Sequence, residues 1–174
     1  IIDHADSVGA SARFGEGDLQ WMTAGRGIVH SEMFPLRHSD KENPTELFQI
    51  WLNLPASRKM VPPHFKMIWG DTIPREITRD ENGNETTVAS YAGALPDGSA
   101  PPTPPPDSWA ADAANGVVIW TIKMAPNATW TLPAGEPSAS RRLYFFDGDR
   151  IIIGGSEVAV QHAASLDPAT AVML

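Results

Sequence analysis

Cysteine is absent from the 174 residues. That absence removes disulfides, thiolate chemistry and every Cys-based zinc or iron–sulfur site, and it points to a reducing, cytoplasmic setting. No run approaches the roughly 18 consecutive apolar residues of a membrane-spanning helix, because the 42% apolar content is spread evenly; no membrane span is expected. Positive charge is scarce. With 13 Lys and Arg against 21 Asp and Glu, the net charge is -8, and no basic stripe interleaved with aromatics offsets it, which argues against direct nucleic-acid binding. There is no P-loop and no G-x-S-x-G, and Gly25-x-Gly27 lacks the third glycine of a dinucleotide loop.

What is present is proline, 16 residues of it, which cuts the chain into pieces too short for long helices. Strands are the expectation: "IIDHADS", "LQWMTA", "GIVHSEMF", "LFQIWLNLP", "HFKMIWG", "TTVASYAG", "VVIWTIKM", "TWTLP" and "RRLYFFDGDRIIIGGSEVAV", the last with a hairpin turn at Asp147-Gly148-Asp149. The proline-rich stretch 96–116 reads as a loop, not a helix. Two strand clusters flank a middle with few strands, so two small β domains are expected, 1–74 and 75–174. The Gly-Asp turns of "EGDLQWM" and "DGDRIII" each precede an apolar strand, as a duplicated barrel would leave them. Because "IIDHADSVG" opens in mid-alternation, the chain is expected to begin inside a strand, as a fragment of a longer protein.

His30 and Glu32 carry the most chemistry. Side chains at i and i+2 of a strand share a face, about 6 to 7 Å apart along it, so an imidazole and a carboxylate converge from one strand and supply half of a first-row metal site. Gly25 and Gly27 let the backbone bend and approach closely just before them. An isolated H-x-E is also a common solvated strand end. His4 and Asp6 repeat the two-residue spacing and could face the same cavity, although Asp6 leads a turn, where Asp is favoured for local hydrogen bonding. His38, His64 and His162 are lone histidines expected at the surface or in packing. Trp120, Trp130, Tyr144, Phe145 and Phe146 read as packing aromatics, and the second half, with no H-x-H or H-x-E, is expected to be free of metal.

The stretch "GDLQWMTAGRGIVHSE", with "DHADSVG" before it and "FQIWLNLP" after it, closely resembles the pirin family, and weaker likeness continues through "PPHFKMIWGDTIP", "SYAGALPDG" and "LYFFDGDRIIIGG". The resemblance implies an all-β bicupin of two double-stranded β-helix barrels, the first holding iron and the second structural. It places the family's third histidine on His30 and its glutamate on Glu32, gives His4 and Asp6 a structural role, and puts the other two histidines in a His-Pro-His strand preceding Ile1. The implied activity is that of an Fe(II)-dependent, quercetinase-type dioxygenase acting on a flavonol-like aromatic, with Glu32 as base. The alternative it implies is a redox-sensitive regulator that binds a transcription factor or metabolic enzyme.

Overall fold

Strand alternation and frequent breakers give short strands and nothing longer than a single turn of helix. A computed structural model describes residues 1–174 as fourteen strands and four 3-10 turns, with no α-helix. The chain divides into two compact units: residues 1–74, 90–94 and 99–119 form the first, and residues 75–89, 95–98 and 120–174 the second.

In the first unit, β1 (Ile2–Asp6) sits between β2 (Ser11–Phe14) and β4 (His30–Met33). β3 (Leu19–Thr23) pairs with β5 (His64–Ile68). The apolar ends of β1 and β2, Ile2 and Phe14, are cross-strand partners and both are buried, which fixes the register, since a slip of one residue would turn both outward. Asp18 sets the entry to β3. Its carboxylate accepts from the backbone N–H of Gly15 at 3.0 Å and of Gly70 at 2.8 Å, tying the turn before β3 to the 3-10 turn Gly70–Thr72 that follows β5.

The second unit holds β6 (Arg75–Arg79), residues 85–89 of β7 (Glu85–Ala92), and most of β8 (Ile119–Met124) in one sheet. Three antiparallel pairs complete it: β9 (Thr131–Leu132) with β14 (Val172–Met173), β10 (Arg141–Phe145) with β13 (His162–Leu166), and β11 (Arg150–Ile153) with β12 (Ser156–Ala159). Leu132, Ile153 and Leu174 form its core, with Trp120 and Trp130 packed against them. Tyr144, expected in packing, is 66% exposed.

Two expected features differ. β10 and β11 do not form a hairpin across Asp147-Gly148-Asp149; β11 turns back on β12 through Gly154-Gly155, both at positive φ. That two-residue loop, with both residues at positive φ, has the twist antiparallel strands need. Residues 47–54 alternate as a strand should yet adopt none, because a strand exists only where a neighbour completes its ladder. Leu47, Phe48, Ile50 and Trp51 are exposed, Trp51 at 86%.

Asp80 closes the β6–β7 turn. One carboxylate oxygen accepts from the backbone N–H of Asn82 and of Asn84, both at 2.9 Å; the other accepts from the Asn84 side-chain amide and the Thr129 backbone N–H, both at 3.1 Å. Burial pushes this carboxyl up, but the four donors outweigh it and hold it below the ordinary carboxylate range. A depressed folded-state pKa contributes stability that is complete above the unfolded value of about 4 and is lost as pH falls through the folded value. Asp80→Asn is therefore expected to lower the melting temperature at pH 7, with the gap to the parent narrowing below about pH 4. Thermal melts at both pH values check it; a gap that does not change with pH counts against it.

Candidate metal centre

Antiparallel pairing brings the two H-x-acid segments together. β1 and β4 run in a register that makes His4 the partner of Glu32 and Asp6 the partner of His30. Directly opposed residues of an antiparallel pair share a face, so all four side chains stand on one side of the sheet. The ligating atoms of His4, His30 and Glu32 lie within 4.8 Å of one another. His30 Nδ1 is 3.8 Å and His4 Nδ1 3.9 Å from Glu32 Oε1.

The surroundings are graded in exposure. The His4 side chain is fully enclosed, while those of His30 and Glu32 are 31% and 25% exposed, so the cluster has one fixed wall and one open side. His4 stacks on Phe65 of β5, ring centroids 4.7 Å apart and planes 18° off parallel, and lies 5.4 Å from the His30 ring. Gln20 of β3 reaches Glu32 with its side-chain amide N–H, 3.3 Å from Oε1. Two buried polar atoms of the site lack a hydrogen-bond partner, His4 Nδ1 and Gln20 Oε1.

Asp6 supports this wall from the turn side. One of its oxygens accepts from the backbone N–H of Val8 at 2.9 Å and of Ala10 at 3.0 Å, and the other lies 3.3 Å from His4 Nε2. Burial acts to raise the Asp6 carboxyl, but the N–H of Ala10, the His4 ring and the N–H of Val8 together hold it below its ordinary range.

The loop feeding β4 shows why it carries two glycines. Gly25 has φ of 53° and packs flat against the Val61 backbone, where Arg26 N–H donates to Val61 O at 2.9 Å; Gly27, with φ of 126°, has nothing near its α-carbon face. Next to β4, Ser7 and Val29 exchange two hydrogen bonds, at 2.8 and 3.0 Å. The loop is thus pinned at both ends, and His30 leaves it at a set position.

His38, His64 and His162 are exposed and do not belong to this cluster. Sequence reasoning paired His30 with Glu32 but gave Gln20 no role. For His4, the usable signal was the antiparallel complement of H-x-D on one strand and H-x-E on another.

The sequence profile of the pirin family matches residues 1–52. That segment is pirin-like. It is 40% identical over 92 residues to a Pseudomonas aeruginosa protein named "Putative quercetin 2,3-dioxygenase PA2418", an alignment covering 53% of this chain and 32% of that protein. It is 44% identical over 87 residues to Pirin-1 of Arabidopsis thaliana, covering 50% of this chain and 27% of the relative. The chain thus spans about a third of the length of the curated relatives it matches. In structure it resembles the crystal structure of GK1651 from Geobacillus kaustophilus, with TM-score 0.67, 24% identity, and coverage of 99% of this chain and 64% of that one. It also resembles a quercetin 2,3-dioxygenase from Acinetobacter baumannii, with TM-score 0.54, 22% identity, and coverage of 99% and 55%. The fold of the chain is the cupin fold.

Proposed function

We propose that this chain comes from a pirin-like, metal-dependent cupin of the quercetin dioxygenase type, with His30 and Glu32 holding a divalent first-row ion and a flavonol-like aromatic as substrate. The observation that carries the reading is the convergence of two imidazoles and one carboxylate on one sheet face within 4.8 Å. The residues fit such an ion chemically: neutral imidazole nitrogen and carboxylate oxygen suit iron and its neighbours, and the buried, unpartnered His4 Nδ1 marks a place where a positive charge would be welcome.

When bound, the ion, Fe(II) in this reading, supplies Lewis acidity and one-electron chemistry towards dioxygen. The remaining work falls to the chain. Phe65, stacked on His4, keeps water from the fixed wall, while the open side at His30 and Glu32 admits a flat substrate. Glu32 is the one carboxylate of the cluster and takes the proton from an acidic aromatic hydroxyl. A carboxylate held by a divalent cation is a weaker base, so Glu32 would serve as ligand and as base in competition with itself. The Gln20 amide, donating to Oε1, steadies its side chain in either role.

Elemental analysis and flavonol consumption test the reading together. The parent protein is expected to bind Fe(II) and bleach a flavonol's long-wavelength absorbance under air, and His30→Ala to lose both metal and turnover. A parent that holds iron, leaves the flavonol intact, and instead changes its affinity for a protein partner between ferrous and ferric forms would favour the regulatory alternative.

A further inference from the structure

Polarity is inverted on β6. Its half-buried residues are Glu76 and Thr78, while the aliphatic Ile77 between them is 60% exposed, so alternation turns the polar pair inward. Breaks in local pattern of this kind are where functional groups are expected. Across the ladder Glu76 faces Val88 and Thr78 faces Thr86, both partners buried. Residues so opposed share a sheet face. On the other side of β7, Ala125 N–H donates to Glu85 O at 2.8 Å, which sets the end of β8 against the start of β7 and, counted back along both strands, places Ile122 opposite Val88. Trp120, Ile122 and Met124 pack on Leu132, Ile153 and Leu174, so the polar face of β6 looks towards the core of the second unit.

On that face three buried polar atoms have no hydrogen-bond partner: Glu76 Oε2, Thr86 Oγ1 and Trp120 Nε1. Asp80, just past the end of the same strand, is met by four donors; the buried Glu76 oxygen is met by none. An orphaned carboxylate oxygen costs more than an orphaned amide. No basic side chain of the unit answers it, since Arg79 pairs with Glu85, Arg150 pairs with Glu157, Arg141 gives its N–H groups to backbone carbonyls, and Arg75, Lys123 and Arg142 are exposed. The missing partner is a cation.

We infer that the second unit carries a binding site of its own, for a small molecule with an ammonium group and a hydroxyl or carbonyl oxygen, seated on Glu76 with Thr86 and Trp120 as its other polar contacts. The carboxylate supplies the counter-charge and the Thr86 hydroxyl can donate or accept, but the Trp120 N–H can only donate, which is why the ligand must also bring an acceptor. The indole adds its face to a cation. Thr86 stands diagonal to Glu76 across the β6–β7 pair, about 7–8 Å away at the backbone and within reach of a long side chain, so a small molecule spans a gap that no direct hydrogen bond closes. A metal ion fits this set badly, because one carboxylate and one hydroxyl fall far short of the roughly six to eight oxygens that calcium takes.

The intact 174-residue chain, labelled with 15N, reports through the indole N–H signal of Trp120, which Trp120→Phe assigns. Ethanolamine, protonated at neutral pH, and ethane-1,2-diol, of the same size without the charge, are the probes, each titrated to about 10 mM, a range open to fragments of this size. Expected are a saturable shift of the Trp120 signal with ethanolamine, binding of the diol at least about 10-fold weaker, and a loss of ethanolamine affinity of about 10-fold or more in Glu76→Gln. Equal binding of the two probes, or unchanged ethanolamine affinity in folded Glu76→Gln, removes the carboxylate as the seat and overturns the inference. No shift with either probe means that ordered water alone meets the three atoms, and the inference falls as well. Should Glu76→Gln not fold, the comparison of the two probes in the parent decides.

Discussion

Glu32→Gln, compared with the parent at equal iron content, is expected to lower flavonol turnover by about 100-fold or more, the usual scale for removing a general base. The substitution keeps the length of the side chain and a carbonyl oxygen that can still accept from Gln20, whose amide lies 3.3 Å from Glu32 Oε1. It removes the one carboxylate of the cluster, the group assigned as base towards an aromatic hydroxyl. Iron should be retained in part, because the imidazoles are untouched. Anaerobic spectra of the bound flavonol make the assignment sharper: the parent should show the deprotonated chromophore and the variant the neutral one. Equal turnover at equal iron would leave Glu32 as a ligand only.

Gly25→Ala is expected to be the most damaging single methyl group in the first unit, at about 2–5 kcal/mol. A left-handed backbone costs a non-glycine residue about 1–2 kcal/mol, and Gly25 has φ of 53°. The larger part is steric. A Cβ there would fall inside contact distance of the Val61 carbonyl oxygen and close to the Val61 and Pro62 backbone, and backbone cannot rotate away as a side chain can. Relief requires the loop to lift from Val61, which breaks the Arg26 N–H to Val61 O hydrogen bond and strands its partners at about 1–3 kcal/mol. Gly9→Ala is the control, since Gly9 has φ of 91° and nothing within 4 Å of an added Cβ; it should cost only about 1–2 kcal/mol. Urea unfolding of both variants checks the difference, and equal costs would show that the approach to Val61 is not what requires glycine. Because this loop delivers His30, Gly25→Ala should also weaken metal binding in whatever fraction remains folded.

The two glycines and the H-x-E were readable in the chain because each is a local matter: a period of two puts His30 and Glu32 on one face, and a bend before them needs residues without Cβ. The partnership of His4 with Glu32 was not, since it depends on which strands pair and in what register, and 28 positions separate them. The same reason explains the two differences in the fold. "LFQIWLNLP" has a strand's alternation but joins no strand ladder, and Asp147-Gly148-Asp149 has a hairpin's composition but lost to Gly154-Gly155, where two positive φ values favour a tighter turn. Local pattern shows what a segment can become; pairing decides whether it does.

The stretch from Leu47 to Leu54 carries a consequence for the protein in concentrated solution. It is eight residues without a charge or a proline, rich in branched and aromatic side chains, with a backbone outside any ladder and Trp51 almost wholly in water. Segments of that composition stack on copies of themselves into cross-β fibrils. Glu46 and Pro55 bracket it, one adding charge and the other lacking the N–H that would carry a growing sheet onward. Because unfolding need not expose this segment, fibril growth is expected to start from the native state: agents that raise the melting temperature should leave the lag time of fibril growth unchanged, and a lag time that lengthens with them would count against it.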